Sequence, residues 1–323
     1  LILTIVIGLL ILYLLIKHFC KKKVSKKENY TDPIKAVIDE MKTKNTKKIM
    51  TVSGEYSERN FTVADLQSFK GERQLTKTIP FSVEEAEAAE TAGIETLNIR
   101  HNPERPEISK ALRAAAPNTF MSFALPMQSA KSEYDALRLS FDAMELGADS
   151  VICGTWGVKF IEAVAHAGIP TEGHIGLVPR RSTWTGGFKA VGKTVEQAKK
   201  LYDDIKILEN IGAWAVEVEV IPENIMAILS PQTSLITSSL GSGVGDIQFL
   251  FAEDILGNTK GPYPRHSKQY ADLYELKQKL QQTRINAFKN YVKDVKDNKF
   301  PYKDVTVSAN DDVANALEKY IKK

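Results

Sequence analysis

The chain is poor in cysteine, lacks a strong excess of either charge, and has no glycine-rich nucleotide fingerprint. Each absence narrows what it can be. Only Cys20 and Cys153 occur in 323 residues, too few for a disulfide framework, and no C-x-x-C pair or Cys/His cluster points to structural zinc. No G-x-G-x-x-G follows an early strand pattern, which removes the dinucleotide-binding signature of a doubly wound sheet. Internal repeats are absent, so a solenoid is excluded. The 43 basic and 40 acidic side chains leave a formal charge of +3, too balanced for a body that binds nucleic acid.

The charge is unevenly placed. Residues 1–16 carry none, and Phe19 and Cys20 extend the apolar run past Lys17 and His18. Twenty helical residues span about 30 Å, the thickness of a bilayer core. Between 17 and 48, eleven lysines face four acids, a local +7, so the other 275 residues sum to −4. Positive residues after the run, rather than before it, oppose a cleaved signal peptide. By the positive-inside rule they place the rest of the chain in the cytoplasm. The expectation is a single-pass membrane anchor at 1–20 and a membrane partner, with the body on the cytoplasmic side. A basic linker comes next at 21–45, where Ile34, Val37, Ile38 and Met41 recur at helical spacing, as in an amphipathic helix at an anionic surface or a solvated one.

From residue 46 short apolar runs alternate with helical periodicities, the pattern of βαβ units around a parallel sheet. Candidate strands fall at 48–53, 96–99, 120–125, 150–153, 171–175, 213–220, 234–239 and 248–252. Helical spacing predicts helices over 83–92, 132–146, 158–167, 195–211 and 222–229. Eight strands with intervening helices predict an α/β fold, a (β/α)8 TIM barrel, with a doubly wound open sheet as the competing plan. The barrel is expected over 46–262. Segment 54–82 reads as an insertion of the length that usually serves function or interaction. A helical extension covers 263–323, with a charged amphipathic helix at 268–296.

Catalytic side chains of such a barrel come from the C-terminal ends of the strands. Two runs stand out there. Gly173-His174-Ile175-Gly176-Leu177-Val178-Pro179 precedes Gly186-Gly187-Phe188-Lys189 and Gly192, and further on Val216-Glu217-Val218-Glu219-Val220-Ile221-Pro222 alternates valine with glutamate. Period-two geometry sets both carboxylates on one face and the valines on the other. Valine suits the helix-facing side, so Glu217 and Glu219 are expected to point into the barrel. Two carboxylates so close should raise one pKa unless a cation lies nearby. Arg100, Arg180 and Arg181 supply cations near the expected mouth.

These runs resemble the ketopantoate hydroxymethyltransferase family. Its G-H-[IL]-G-L-x-P is matched by residues 173–179, its G-G-[YF]-K-x-x-G by residues 186–192, and its E-C-V-P by Glu219-Val220-Ile221-Pro222. Leu240-Gly241-Ser242-Gly243 and Asp246-Ile247-Gln248 through Leu256-Gly257 are similar to its G-x-G-A-G and D-G-Q-x-L-V-x-H-D-x-L-G. Tyr270-Ala271-Asp272-Leu273 and Phe300-Pro301 fit its tail, so the likeness covers roughly residues 90–302. The resemblance implies a barrel of the phosphoenolpyruvate/pyruvate-domain type, homo-oligomeric as a pentamer or decamer. It further implies a small 2-oxo acid substrate, methylenetetrahydrofolate as one-carbon donor, and magnesium stabilising an enolate.

The departures gather where that metal would sit. The family's V-G-D-S aligns with Ile99-Arg100-His101-Asn102, its A-D-L-P with Phe123-Ala124-Leu125-Pro126, and its V-K-I-E-G with Val151-Ile152-Cys153-Gly154-Thr155. Its T-A-Y-D run is set against Thr51-Val52-Ser53-Gly54. The ligand positions thus hold His101, Ala124 and Gly154, and magnesium prefers an all-oxygen shell, so no metal ligand is assigned. Glu219 is the expected catalytic acid/base. His174, Arg100, His101, Asn102, Arg180 and Arg181 are the expected substrate contacts, with the arginines replacing the metal by gripping a carboxylate. The reading leans to an enzyme of aldol-type one-carbon transfer to, or cleavage of, a 2-oxo acid. The alternative is a barrel without catalysis serving as a membrane-tethered scaffold, and a third reading keeps a metal on His101 and Glu219.

Overall fold

The computed structural model describes residues 46–322. Strands β1 (Lys47–Met50) and β2 (Tyr56–Arg59) form a hairpin, followed by α1 (Val63–Ser68). Strand β3 (Leu75–Ile79), helix α2 (Val83–Ala92), β4 (Thr96–Arg100) and α3 (Pro106–Ala115) then begin a strict alternation. It continues through β5 (Phe120–Ala124), α4 (Glu133–Glu145), β6 (Ser150–Ile152), α5 (Val158–His166) and β7 (Thr171–Gly176). A short helix α6 (Ser182–Thr185) precedes α7 (Val195–Asn210), β8 (Ala215–Glu219), α8 (Glu223–Leu229), β9 (Ile236–Leu240), β10 (Ile247–Phe251) and α9 (Ala252–Leu256). Helices α10 (Leu273–Lys296) and α11 (Asp311–Ile321) end the described chain. Strands β3 to β10 close into an eight-stranded parallel barrel, as the alternating pattern predicts.

The first barrel strand is a correction. Residues 48–53 do not enter the barrel; β1 pairs antiparallel with β2, and the first stave is β3, inside the segment read as an insertion. The physical reason lies in the side chains. Lys47 and Lys48 leave β1 largely exposed, and Gly54, at φ +82°, reverses the chain. Leu75-Thr76-Lys77-Thr78-Ile79 reads as polar only because its central inward residue is charged. The run set against the family's T-A-Y-D, Thr51-Val52-Ser53-Gly54, therefore lies in the hairpin and not on the first stave.

The membrane placement is also corrected. No helix among the described residues is long and apolar enough to cross a membrane. The longest, α10, is studded with Lys277, Lys279, Arg284, Lys289 and Lys293, charges that hydrocarbon does not tolerate. Residues 1–20 and 21–45, on which that expectation rested, lie outside the described residues.

Helix starts are set locally. Ser82, Ser132 and Thr194 cap α2, α4 and α7 by accepting from the backbone N–H three residues on, which satisfies an otherwise orphaned donor. The helix-facing sides of the strands, among them Leu97, Ile99, Phe123, Val216 and Val218, form the main apolar core against the helices. Leu66 of α1 joins Leu75, Phe120, Trp214, Ile236 and Ile247 to plug the N-terminal end of the barrel. Below it Asp149 ties Arg59 (Nε, 2.7 Å) and Arg113 (Nη1, 3.0 Å), binding the hairpin to the strand starts.

Between the apolar plug and the C-terminal mouth the interior holds a buried polar layer beside the small apolar cluster of Ile79, Leu240 and Phe249. Lys77 Nζ donates to Glu172 Oε2 at 2.7 Å, both side chains being 1% exposed, and Ser122 Oγ donates to Glu172 Oε1. Strands β3, β5 and β7 are not neighbours in the barrel order, so these side chains meet across its axis. A buried charge left alone costs far more than an intact pair. Lys77→Met is therefore expected to lower stability by about 3–5 kcal/mol, read from urea denaturation. Lys77→Met combined with Glu172→Met should recover most of that loss, and a double variant as weak as the sum of both singles would refute a buried ion pair.

Candidate functional site

Strands β7 and β8 carry the chemistry. Their parallel register sets His174 against Glu217 and Gly176 against Glu219. Glu172, His174 and Gly176 share one parity and Glu217 and Glu219 the other strand's equivalent, so all face the interior above Lys77, while Val216 and Val218 face the helices. His174 Nε2 lies 3.2 Å from Glu219 Oε2, with the two side chains 8% and 13% exposed. The angle falls short of a hydrogen bond, so Nε2 is buried without a hydrogen-bond partner and is available to a ligand oxygen. One nitrogen or oxygen of each of His174, Glu217 and Glu219 lies within 4.8 Å of the others, close enough for the three to hold a metal ion of mixed nitrogen and oxygen preference.

Backbone strain fixes this corner. Val220, next to Glu219, has φ +48°, a conformation costly for a β-branched residue. It is pinned because its N–H donates to Leu240 O at 2.9 Å and its carbonyl accepts from Val191 N–H at 3.2 Å. Ser242 Oγ accepts from Ile221 N–H (3.0 Å) and donates to Val218 O (2.9 Å), clasping the loop after β9 to the end of β8. Gly176, at φ +84°, has no room for a β-carbon beside Glu219 O. At Gly154 a β-carbon would overlap the backbone and Cβ of His174.

Electrostatics follow from this packing. Burial alone would push the His174 pKa down, but the Glu217 and Glu219 carboxylates prevail and hold it above its ordinary 6.5. Burial pushes the Glu217 carboxyl up, opposed by His174 and Lys77. Burial, then Glu172, drives the Cys153 thiol up, which leaves it an inert part of the helix-facing core.

The other expected contacts scatter. Arg181 reaches the site's edge, where its Nη2 donates to Thr155 O (3.0 Å) and Trp156 O. Arg180 is exposed. Arg100 sits across the mouth, 5.2 Å over the Phe81 ring and 5.9 Å from that of Phe251. His101 turns away from the interior: Nδ1 is 2.8 Å from Ser109 Oγ on α3 and the ring stacks on Phe123 at 5.6 Å. Asn102 is exposed and its Oδ1 accepts from Glu104 N–H. Ala124 offers no ligand atom. His101 and Glu219, the pair of the altered-metal reading, therefore do not meet. Lys77, Glu172 and Val220 were not anticipated as parts of the site; a lysine in the middle of an alternating strand was the available signal for the first.

The raised His174 pKa has a sign that can be checked. A group whose folded pKa exceeds its unfolded value contributes stability that is complete below the unfolded pKa and is lost as pH climbs through the folded one. The His174 imidazole resonance is expected to titrate above pH 6.5, and Glu217→Gln should lower its midpoint. The stability difference between wild type and Glu217→Gln should shrink as pH rises through that midpoint; a midpoint that ignores Glu217 would exclude this coupling.

Comparisons with known proteins agree on one family. The profile of the family described as ketopantoate hydroxymethyltransferase matches residues 88–303. The 3-methyl-2-oxobutanoate hydroxymethyltransferase of Pyrobaculum aerophilum is 34% identical over 200 residues, which cover 61% of this chain and 73% of that one. A protein of the same name from Kosmotoga olearia is 30% identical over 252 residues, 72% of this chain and 92% of its own. One from Geobacillus kaustophilus is 36% identical over 198 residues, 60% of this chain and 68% of its own.

Proposed function

Because the chain belongs to the ketopantoate hydroxymethyltransferase family, we propose that it performs aldol-type one-carbon chemistry on a 2-oxo acid, with Glu219 moving the proton and His174 steadying the enolate. The observation that carries this reading is the 3.2 Å approach of His174 Nε2 to Glu219 Oε2 at the C-terminal end of the barrel. A 2-oxo acid whose C2 carbonyl oxygen accepts from His174 Nε2–H presents C3 to Glu219. Glu219 takes the C3 proton, the electron pair moves into the C2–C3 bond, and the charge on oxygen is met by the imidazolium. Returned to C3, that pair attacks formaldehyde, released from its carrier by water; the C–O π pair moves onto oxygen, which takes a proton, leaving a hydroxymethyl group on C3, and in reverse the same groups cleave that bond. Methylenetetrahydrofolate, the family's donor, enters as a second substrate, and no residue is assigned to it.

Magnesium is a poorer match. The positions that hold acids in the family motifs are Ala124, a Gly154 with no space for a side chain, and a His101 committed to Ser109. These residues do not fit an ion that demands an oxygen shell, and no step is routed through it. The positive charge is proposed to come instead from His174, whose pKa its two carboxylates hold above the ordinary value against the effect of burial, with Arg181 at the edge. A homo-oligomer is the proposed assembly; the exposed Leu276, Leu280 and Phe288 on α10 are surface of the kind that copies cover.

Proton abstraction is testable without the one-carbon donor. In D2O the full chain is expected to exchange the C3 proton of 3-methyl-2-oxobutanoate, followed by proton NMR. Glu219→Gln should slow exchange by about 10²–10⁴-fold, the usual worth of a general base, while 2-oxo acid binding persists. No exchange by the wild-type chain would overturn the reading.

A further inference from the structure

A cavity of about 720 Å³ adjoins the site. It touches the catalytic group at one residue, His174, whose ring closes its inner end between Gly154 and Gly176. Strand β6 stops at Ile152, whereas β7 continues to Gly176. Beyond β6, Gly154 packs directly against the backbone of His174, and the His174 ring is where the cavity meets the site. From there the cavity extends to helices α5 and α7, where Ile161, Leu201 and Leu208 line it together with Trp156 and Val178. Its cations are Arg181 near His174 and Lys189 and Lys200 further out.

Two features indicate what such a space takes. Cavities of about 300–1,000 Å³ with apolar walls and few polar anchors hold drug-sized ligands, far larger than the five-carbon acid that names the relatives. The Arg181 guanidinium is held by two backbone carbonyls through one nitrogen, leaving its other N–H groups for a carboxylate. We infer that the cavity receives the apolar side chain of the substrate, and that this chain acts on 2-oxo acids with a long aliphatic or aromatic side chain. The carboxylate pairs with Arg181, the carbonyl oxygen meets His174, C3 lies at Glu219, and the chain beyond C3 enters the apolar cavity that His174 and Arg181 line. This inference rests on the proposed site chemistry and adds its substrate class.

The test is a binding series with the full chain: 2-oxobutanoate, 2-oxohexanoate, 2-oxooctanoate and phenylpyruvate by titration calorimetry. Each methylene moved from water to an apolar wall is expected to tighten binding about fourfold. Ile207→Trp, at a half-exposed position on the rim, should remove the gain for the longer acids and leave 2-oxobutanoate unchanged, with circular dichroism confirming the fold. Equal affinity along the series, with C3 exchange intact, overturns the substrate class while the site chemistry stands. Failure of every acid to bind overturns both. Displacement of 2-oxooctanoate but not 2-oxobutanoate by tetrahydrofolate would give the cavity to another ligand and overturn the inference.

Discussion

The ion pair between Lys77 and Glu172 sets the terms for everything above it in the barrel. Two charges without solvent contact, 2.7 Å apart, are stable only while each remains paired and their other polar atoms are satisfied. Ser122 meets part of that demand from a third strand. The layer therefore ties β3, β5 and β7 together across the axis, and any widening of the barrel would expose an unpaired charge. An apolar layer there would pack as well, but it would leave the two glutamates of β8 with no cation beneath them.

From that layer the charges run upward as a chain. Lys77 acts on Glu217 and opposes the effect of burial on it. Glu217 and Glu219 then hold the His174 pKa above its ordinary value in surroundings whose burial alone would lower it. Opposite charges at short range in a medium of low dielectric outweigh desolvation here. His174 Nε2 and Glu219 Oε2 thus face each other at 3.2 Å, with the strained Val220 next in sequence to the carboxylate.

Much of this was legible in the residues. The alternation of valine and glutamate at 216–219 carries its own geometry, since period two leaves only one face for both acids, and glycines around His174 mark a close approach of strands. What could not be read was the first stave of the barrel. Lys77 breaks the apolar-inward rule because the interior it faces is charged, and a charged interior depends on a partner ninety-five residues away in sequence. The fates of the cations were hidden for a similar reason. Arg100 and His101 lie at the end of one strand, where only parity turns the ring to Ser109, and Arg181 lies on the turn after β7, where no strand period points its guanidinium.

Gly154 and His174 together make the departures from the family motif a single structural choice. A side chain at residue 154 would overlap His174, so a carboxylate ligand on that strand and the imidazole in its present place are mutually exclusive unless the backbone moves. The cavity borders the same imidazole. Glu217, a carboxylate outside the E-C-V-P motif, helps hold the pKa of that imidazole above its ordinary value. Gly154, the imidazole packed against it and the glutamates of the neighbouring strand therefore act as one unit, since a side chain at residue 154 would displace the ring that both carboxylates and the cavity contact.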